Sequence, residues 1–421
     1  MAAFVITWML ALTVSGAAAG TPQGSFKLGA VDVVGAKRYT SSDVTKMAGL
    51  TIGQPITVEG LTQAADRLGQ SGLFSSLAFR YVTKGGVISV TFELEEAEPT
   101  LPVTFDNFVW FTDDEVRAAV RDAVPAFDGV VPAGAGLPDL ISAALQLMLK
   151  RRSIPGRIQF SAQADLKGNL LGYVFSVRDP APKMCALRMD GAAAIPEEQL
   201  VQGISIAGND FSRVFVDATA KGTLRDRYRQ RGYWAATFAP ATAALDAGCG
   251  GVTVTLKATE GVPYTWDKAV WAGNSALSSD ELSLLIGLKT GETAALQRID
   301  EGLRAVKRAY GKKGYVAHSA EYAPKLDESS RKAVFDIRVT EGPQFRFGNV
   351  EFVGFTDSDA VMLRKRWQLA SGDVFDDSYP DTFFVEVLRP ALKTIAGGRQ
   401  VASGVRLDET RRIVDVRYTL K

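Results

Sequence analysis

Two hydrophobic periods alternate along the chain. In residues 265–272 apolar and polar positions alternate, which predicts a half-buried strand. Residues 278–288 predict a short helix, broken at Thr290 and Gly291. Leu296, Ile299, Leu303, Val306 and Tyr310 then recur at spacings of 3, 4, 3 and 4, one apolar stripe on a second helix. Residues 315–322 read as a strand, residues 327–330 as a polar turn, and residues 334–339 as a further strand. The order is β-α-α-β-β. If the first strand runs up, the last runs up beside it, and the middle strand pairs with the last as a hairpin. The expected sheet is mixed and three-stranded, with two helices on one face and the middle strand at an open edge.

Three markers repeat this pattern. The first is a strand-like run ending in glycine, at Gly35, Gly191, Gly273 and Gly354, the last three 82 and 81 positions apart. The second is a glycine followed by bulky residues: Gly72-Leu73-Phe74, Gly232-Tyr233-Trp234 and Gly314-Tyr315-Val316. The third is an acidic turn, at Glu95 to Pro99, Glu260 to Pro263 and Glu341 to Pro343. An apolar–cap–apolar set also recurs five times: Tyr39/Thr40/Val44, Phe111/Thr112/Val116, Ile195/Pro196/Leu200, Leu277/Ser278/Leu282 and Phe355/Thr356/Ala360. This is the spacing at which the residue before a helix packs on the first turn; Glu115 and Glu281 complete capping boxes with Thr112 and Ser278. The predicted fold class is α+β, a tandem array of five such units at 26–98, 101–180, 184–262, 264–342 and 344–421. The second unit is the most divergent, lacking the turn glycine near Asn107 and carrying a Gly/Pro-rich loop at 128–138.

Composition narrows the chemistry. Lys plus Arg number 48 and Asp plus Glu 47, a net charge of +1 that argues against nucleic acid as a partner. One histidine and two cysteines are too few for a structural zinc site. Residues 4–14 are apolar and Ala17, Ala18 and Ala19 follow, so residues 1–19 read as a cleaved signal peptide for export. Cys185 opens one strand of the third unit and Cys249 precedes the strand expected beside it, so a Cys185–Cys249 disulfide is expected in an oxidising compartment. No Gly-x-Ser-x-Gly elbow is present, and His318 is expected on an exposed edge strand. The acidic runs near Asp357 and Asp373 fit helix starts. No catalytic residue, metal site or cofactor is predicted.

The repeat resembles the polypeptide-transport-associated (POTRA) domain. The residues that carry the likeness are Gly273-Asn274, Tyr310, Gly314-Tyr315 and Glu341-Gly342-Pro343, with Tyr228, Gly232-Tyr233 and Glu260-Gly261-x-Pro263 in the preceding unit. Five copies after a signal peptide are similar to the periplasmic arm of BamA-like outer-membrane assembly proteins. Members of that family carry a C-terminal membrane barrel, for which residues ending at Lys421 leave no room. The expectation is an arm acting alone, an arm docking on a separate barrel protein, or a truncated assembly protein.

The resemblance implies a non-enzymatic periplasmic scaffold, peripheral to the outer membrane at most. Its partners would be envelope proteins: outer-membrane precursors or a separate barrel protein. Binding would proceed by strand addition, because an open edge offers unpaired N–H and C=O groups. Residues 234–244 lack charge, so Thr237, Phe238, Ala239, Ala241 and Thr242 are candidate docking positions, together with Tyr315, Val316 and Ala317. The alternatives are that a neighbouring unit covers this edge, and that the chain is a structural organiser of the envelope.

Overall fold

A computed structural model describes residues 24–133, 136–204, 206, 208–395 and 399–421. The expected signal peptide lies outside the described residues. The chain divides into two compact units. One consists of the chain up to Arg188 with Ile204–Asp217 and Ala241–Thr255; the other is Met189–Gly203, Ala218–Pro240 and Leu256–Lys421. Among the described residues no helix is long and apolar enough to cross a membrane.

The architecture is mixed α+β, built from several small mixed sheets and helices. In the sheet holding Thr265–Ala272, Lys332–Thr340 is central: it pairs parallel with Thr265–Ala272 and antiparallel with Ser319–Asp327. Arg346–Val353, Ile413–Leu420 and Val401–Asp408 repeat that arrangement. The two sheets nearest the N-terminus have four strands rather than three. Each gains a short extra strand, Pro55–Ile56 against Phe26–Val34 and Val130–Pro132 against Thr100–Phe105. Single bridges do the same elsewhere, at Thr265 with Thr293 and Arg346 with Val374. The segment between the two helices therefore touches the outer margin of the opening strand, leaving the hairpin strand as the more open edge.

The caps explain where helices begin. Thr40, Thr112, Ser278 and Thr356 each accept a backbone N–H three residues on, satisfying a donor the helix cannot. Val44, Val116, Leu200 and Leu282, four residues past the cap, are all buried. Inward positions alternate along each central strand. Ile88, Val90, Phe92 and Leu94 face one core, and Ala333, Phe335, Ile337 and Val339 face another. Their partners are the helical stripes, including Leu61, Ala65 and Leu68, and Leu296, Ile299, Val306 and Tyr310.

One prediction fails by four residues. The edge strand begins at Ser319, not at 315. Tyr315, Val316, Ala317 and His318 lie in the turn before it. His318 is half-buried, its ring stacked on Tyr310 at 5.0 Å and its Nδ1 3.1 Å from the Tyr315 carbonyl. These apolar residues pack where no strand is needed: Tyr315 lies on Tyr310 and Val316 on the next sheet's core.

Candidate functional site

The markers that repeat in the sequence are junction chemistry. Gly273 has φ +80°, and a side chain there would collide with the Val339 carbonyl. Gly35, Gly191 and Gly354 stand in the same way against Leu94, Ala258 and Leu420. After this turn the chain exposes two amides. The acidic marker takes them: Glu341 accepts from Ser275 at 2.6 Å and Ala276 at 2.8 Å. Glu260 accepts from Ala193 and Ala194, both at 2.9 Å, and Glu96 from Lys37 at 2.7 Å and Arg38 at 2.6 Å. A carboxylate holding two amides is a strong hydrogen-bonding arrangement, and it ties the start of the helical layer to the last strand.

A buried tyrosine completes two of these clasps. The Tyr228 hydroxyl donates to Glu260 at 2.7 Å and the Tyr310 hydroxyl to Glu341 at 3.0 Å. Burial, and then the bond to the carboxylate, pushes both phenols up. At Glu341 burial acts upward, but the Ala276 and Ser275 amides and the Tyr310 hydroxyl outweigh it, and the carboxyl lies below its ordinary value.

The Gly-Tyr marker links one sheet to the next. The Gly232 carbonyl accepts from Tyr264 N at 2.8 Å, and the Tyr264 carbonyl accepts from Ala294 N at 3.1 Å. Gly314, Phe345 and Phe375 form the same pair of bonds at 2.8 and 3.1 Å. The residue two places after each glycine then plugs the following core. Trp234 is 5% exposed. It packs edge-on against Phe335 at 5.0 Å and donates through Nε1 to the Ala294 carbonyl at 2.5 Å. Val316 packs against the core of Phe345, Phe347 and Phe375.

These facts relocate several predicted positions. Tyr315 and Ala317 line an open cleft of about 810 Å³ with Glu341, Pro343, Phe345 and Arg412; they are not strand residues. The uncharged run at 234–244 is covered in part by neighbours. Trp234, Ala236 and Ala241 are buried, whereas Thr237, Ala239 and Thr242 are exposed. The edge itself is split. Thr237–Phe238 pairs with Thr259 and Ala258, and Thr242–Asp246 pairs separately with the 251–255 stretch, with Pro240 between them. Cys185 and Cys249 are joined as a disulfide, their Cα atoms 6.3 Å apart.

Sequence reasoning missed one cluster. Where the second repeat lacks its glycine, Asp106 and Asn107 are buried. The Asp106 carboxylate accepts from Val214 N at 2.9 Å and Ser212 Oγ at 3.0 Å, at the start of the Arg213–Thr219 helix. Asn107 accepts from Val177 N at 2.7 Å and donates to the carbonyls of Val177 at 3.0 Å and Phe211 at 3.4 Å. Arg213 reaches Asp113 at 3.3 Å and Arg178 reaches Asp210 at 3.2 Å in the same neighbourhood. Among the described residues no cluster of three or more metal-ligating side chains occurs.

The POTRA family model, described as a surface antigen variable number repeat, matches residues 26–97 and 264–342. A Treponema pallidum (strain Nichols) protein named as a proposed outer membrane protein assembly factor is 25% identical over 162 residues, 38% of this chain and 19% of that protein. The chain thus covers about a fifth of that relative's length. Among solved structures, Haemophilus influenzae BamA POTRA3-5 aligns with a TM-score of 0.42 and 21% identity, over 57% of this chain and 96% of that one. The N-terminal domain of Omp85 from Thermosynechococcus elongatus aligns with a TM-score of 0.25 and 16% identity, over 58% of this chain and 98% of that one.

Proposed function

We propose that this chain, which carries POTRA domains at 26–97 and 264–342, is a non-enzymatic periplasmic scaffold that holds envelope proteins by strand addition during outer-membrane protein assembly. We further assign its five modules to 26–98, 101–180, 184–262, 264–342 and 344–421. The observation that carries the reading is the recurring open hairpin strand. Among the described residues, Phe74–Lys84, Ser319–Asp327 and Val401–Asp408 each pair with one neighbour only, so each presents unpaired N–H and C=O groups along its other margin. An extended client strand meets those groups at every second residue and needs little side-chain complementarity. The name of the Treponema relative, an outer membrane protein assembly factor, supports the assembly setting.

The plugs at Trp234 and Val316 tie consecutive sheets together, so that neighbouring edges share one backbone. Thr237 and Thr242 remain docking candidates on the interrupted edge, while Tyr315, Val316 and Ala317 serve the joint. A photo-crosslinking residue at Thr237 tests the reading. Capture of many unfolded barrel precursors supports client handling; capture of one constant folded partner would make the chain an organiser of the envelope instead.

A further inference from the structure

One edge differs from the rest. Phe74–Lys84 carries Arg80, paired with Glu93, and Lys84. Ser319–Asp327 carries Glu321, Pro324, Asp327 and Lys325, the last paired with Asp336 at 2.6 Å. Val401–Asp408 carries Gly404, Arg406 and Asp408. Charge, proline and short runs are how sheets blunt their margins. Arg157–Ala164 has none of these beyond its first residue: residues 158–164 contain no charge, no proline and no glycine. Among the described residues it pairs only with Leu170–Arg178, and every residue from Gln159 to Ala164 is exposed. Phe160 is 41% exposed, resting on Tyr173 and Phe175 with ring centres at 6.3 and 5.7 Å.

We infer that Arg157–Ala164 pairs antiparallel with the same strand of a second copy of this chain, about a two-fold axis at Ser161. The sequence is self-complementary in that register. Arg157 meets Asp165 of the second copy, Ile158 meets Ala164, Gln159 meets Gln163, and Phe160 meets Ala162. A large ring therefore faces a small side chain, two amides face each other, and an opposite-charge pair closes both ends. Both terminal charges hold partners within the chain, which pairing between copies would share or exchange. The Arg157 side chain is 72% exposed, although its guanidinium reaches Asp179. Asp165 sits in the turn after the strand, where its carboxylate accepts from Lys167 N, Asn169 N and Asn169 Nδ2, all at 2.8 Å. A shift of one residue would put the apolar set on the opposite face and lose the end pairs. The result is an eight-stranded sheet made from two four-stranded ones.

One strand pair buries less than the roughly 1,200 Å² of a standard stable interface, so association is reversible and concentration-dependent. Sedimentation velocity on the full chain, from about 1 µM to several hundred µM, should show mass rising from monomer toward dimer. Arg157→Asp and Asp165→Arg, each alone, place like charges at both ends and should weaken self-association at least tenfold. Mixing the two variants one to one restores opposite charges at both ends, and a heterodimer should form near wild-type affinity. Formation of that heterodimer also shows that both variants are folded. A wild-type chain that stays monomeric throughout, either variant dimerising as well as wild type, or a mixture that fails to associate overturns the inference. So does a chain that gains mass only when an extended client peptide is added.

Discussion

Around Gly232 and Gly314, one sheet is joined to the next by backbone hydrogen bonds and one apolar plug, Trp234 or Val316. Around Asp106 and Asn107, the corresponding work is done by buried polar side chains gripping Val177, Phe211, Ser212 and Val214. The first kind of joint depends on a glycine that lets two backbones meet, and it recurs at Gly232 and Gly314. The second depends on side-chain chemistry and can appear once. A divergent repeat thus need not be a looser one, since five hydrogen bonds from Asp106 and Asn107 occupy the place of its missing turn glycine, the counterpart of Gly273.

The largest effect that separates the two joints should come from Trp234→Ala. It removes a buried indole from a core and its bond to Ala294, and should cost about 3–5 kcal/mol in denaturant unfolding. Val316→Ala, at a half-buried plug, should cost about 1–2 kcal/mol; equal costs would break the view that the plug size sets joint strength. Removing the Cys185–Cys249 bridge, which closes a separation of 64 residues, should cost about 2–4 kcal/mol. Asp106→Ala removes a helix cap and leaves the Val214 amide unmatched, worth about 1–2 kcal/mol. It should speed hydrogen exchange at Val214 while leaving Tyr264 and Phe345 unchanged. Faster exchange at those amides too would mean that the two joints are not independent.

The smallest effect is a pH dependence. Glu341 has a depressed carboxyl pKa in the folded chain, so its contribution is fully present above its ordinary value of 4.5 and is lost as the pH falls through the lower folded value. The stability difference between wild type and Glu341→Gln should therefore shrink on acidification below about pH 4.5. A difference that stays constant from pH 7 to pH 3 would assign the clasp to packing rather than charge.

Much of this was legible in the chain. Thr265–Ala272 alternates and is a strand over those bounds, and the spacing of Gly191, Gly273 and Gly354 marks turns against a strand carbonyl. The cap residues announce where helices start. What stayed hidden was anything that joins distant positions. Glu341 and Ser275 are 66 residues apart, so the acidic marker could be counted but its clasp could not be read. Val316 was misread for a physical reason: an apolar residue buried in a neighbour's core has the same pattern as one on an unguarded edge. Asp106 and Asn107 looked like a lapse in the repeat because polar residues give no period. The self-complementary order of residues 157–165 lay in plain view, but only the sheet order reveals that it forms an outer margin.

The central claim is that these modules bind extended chains along open hairpin margins. Hydrogen exchange on the full chain, with and without a strand-forming peptide from an outer-membrane barrel precursor, tests it most directly. The account predicts new protection at alternate amides of hairpin strands such as Phe74–Lys84 and Val401–Asp408, with the helices unchanged. Protection confined to helical amides, or to the cleft at Tyr315 and Arg412, would contradict it.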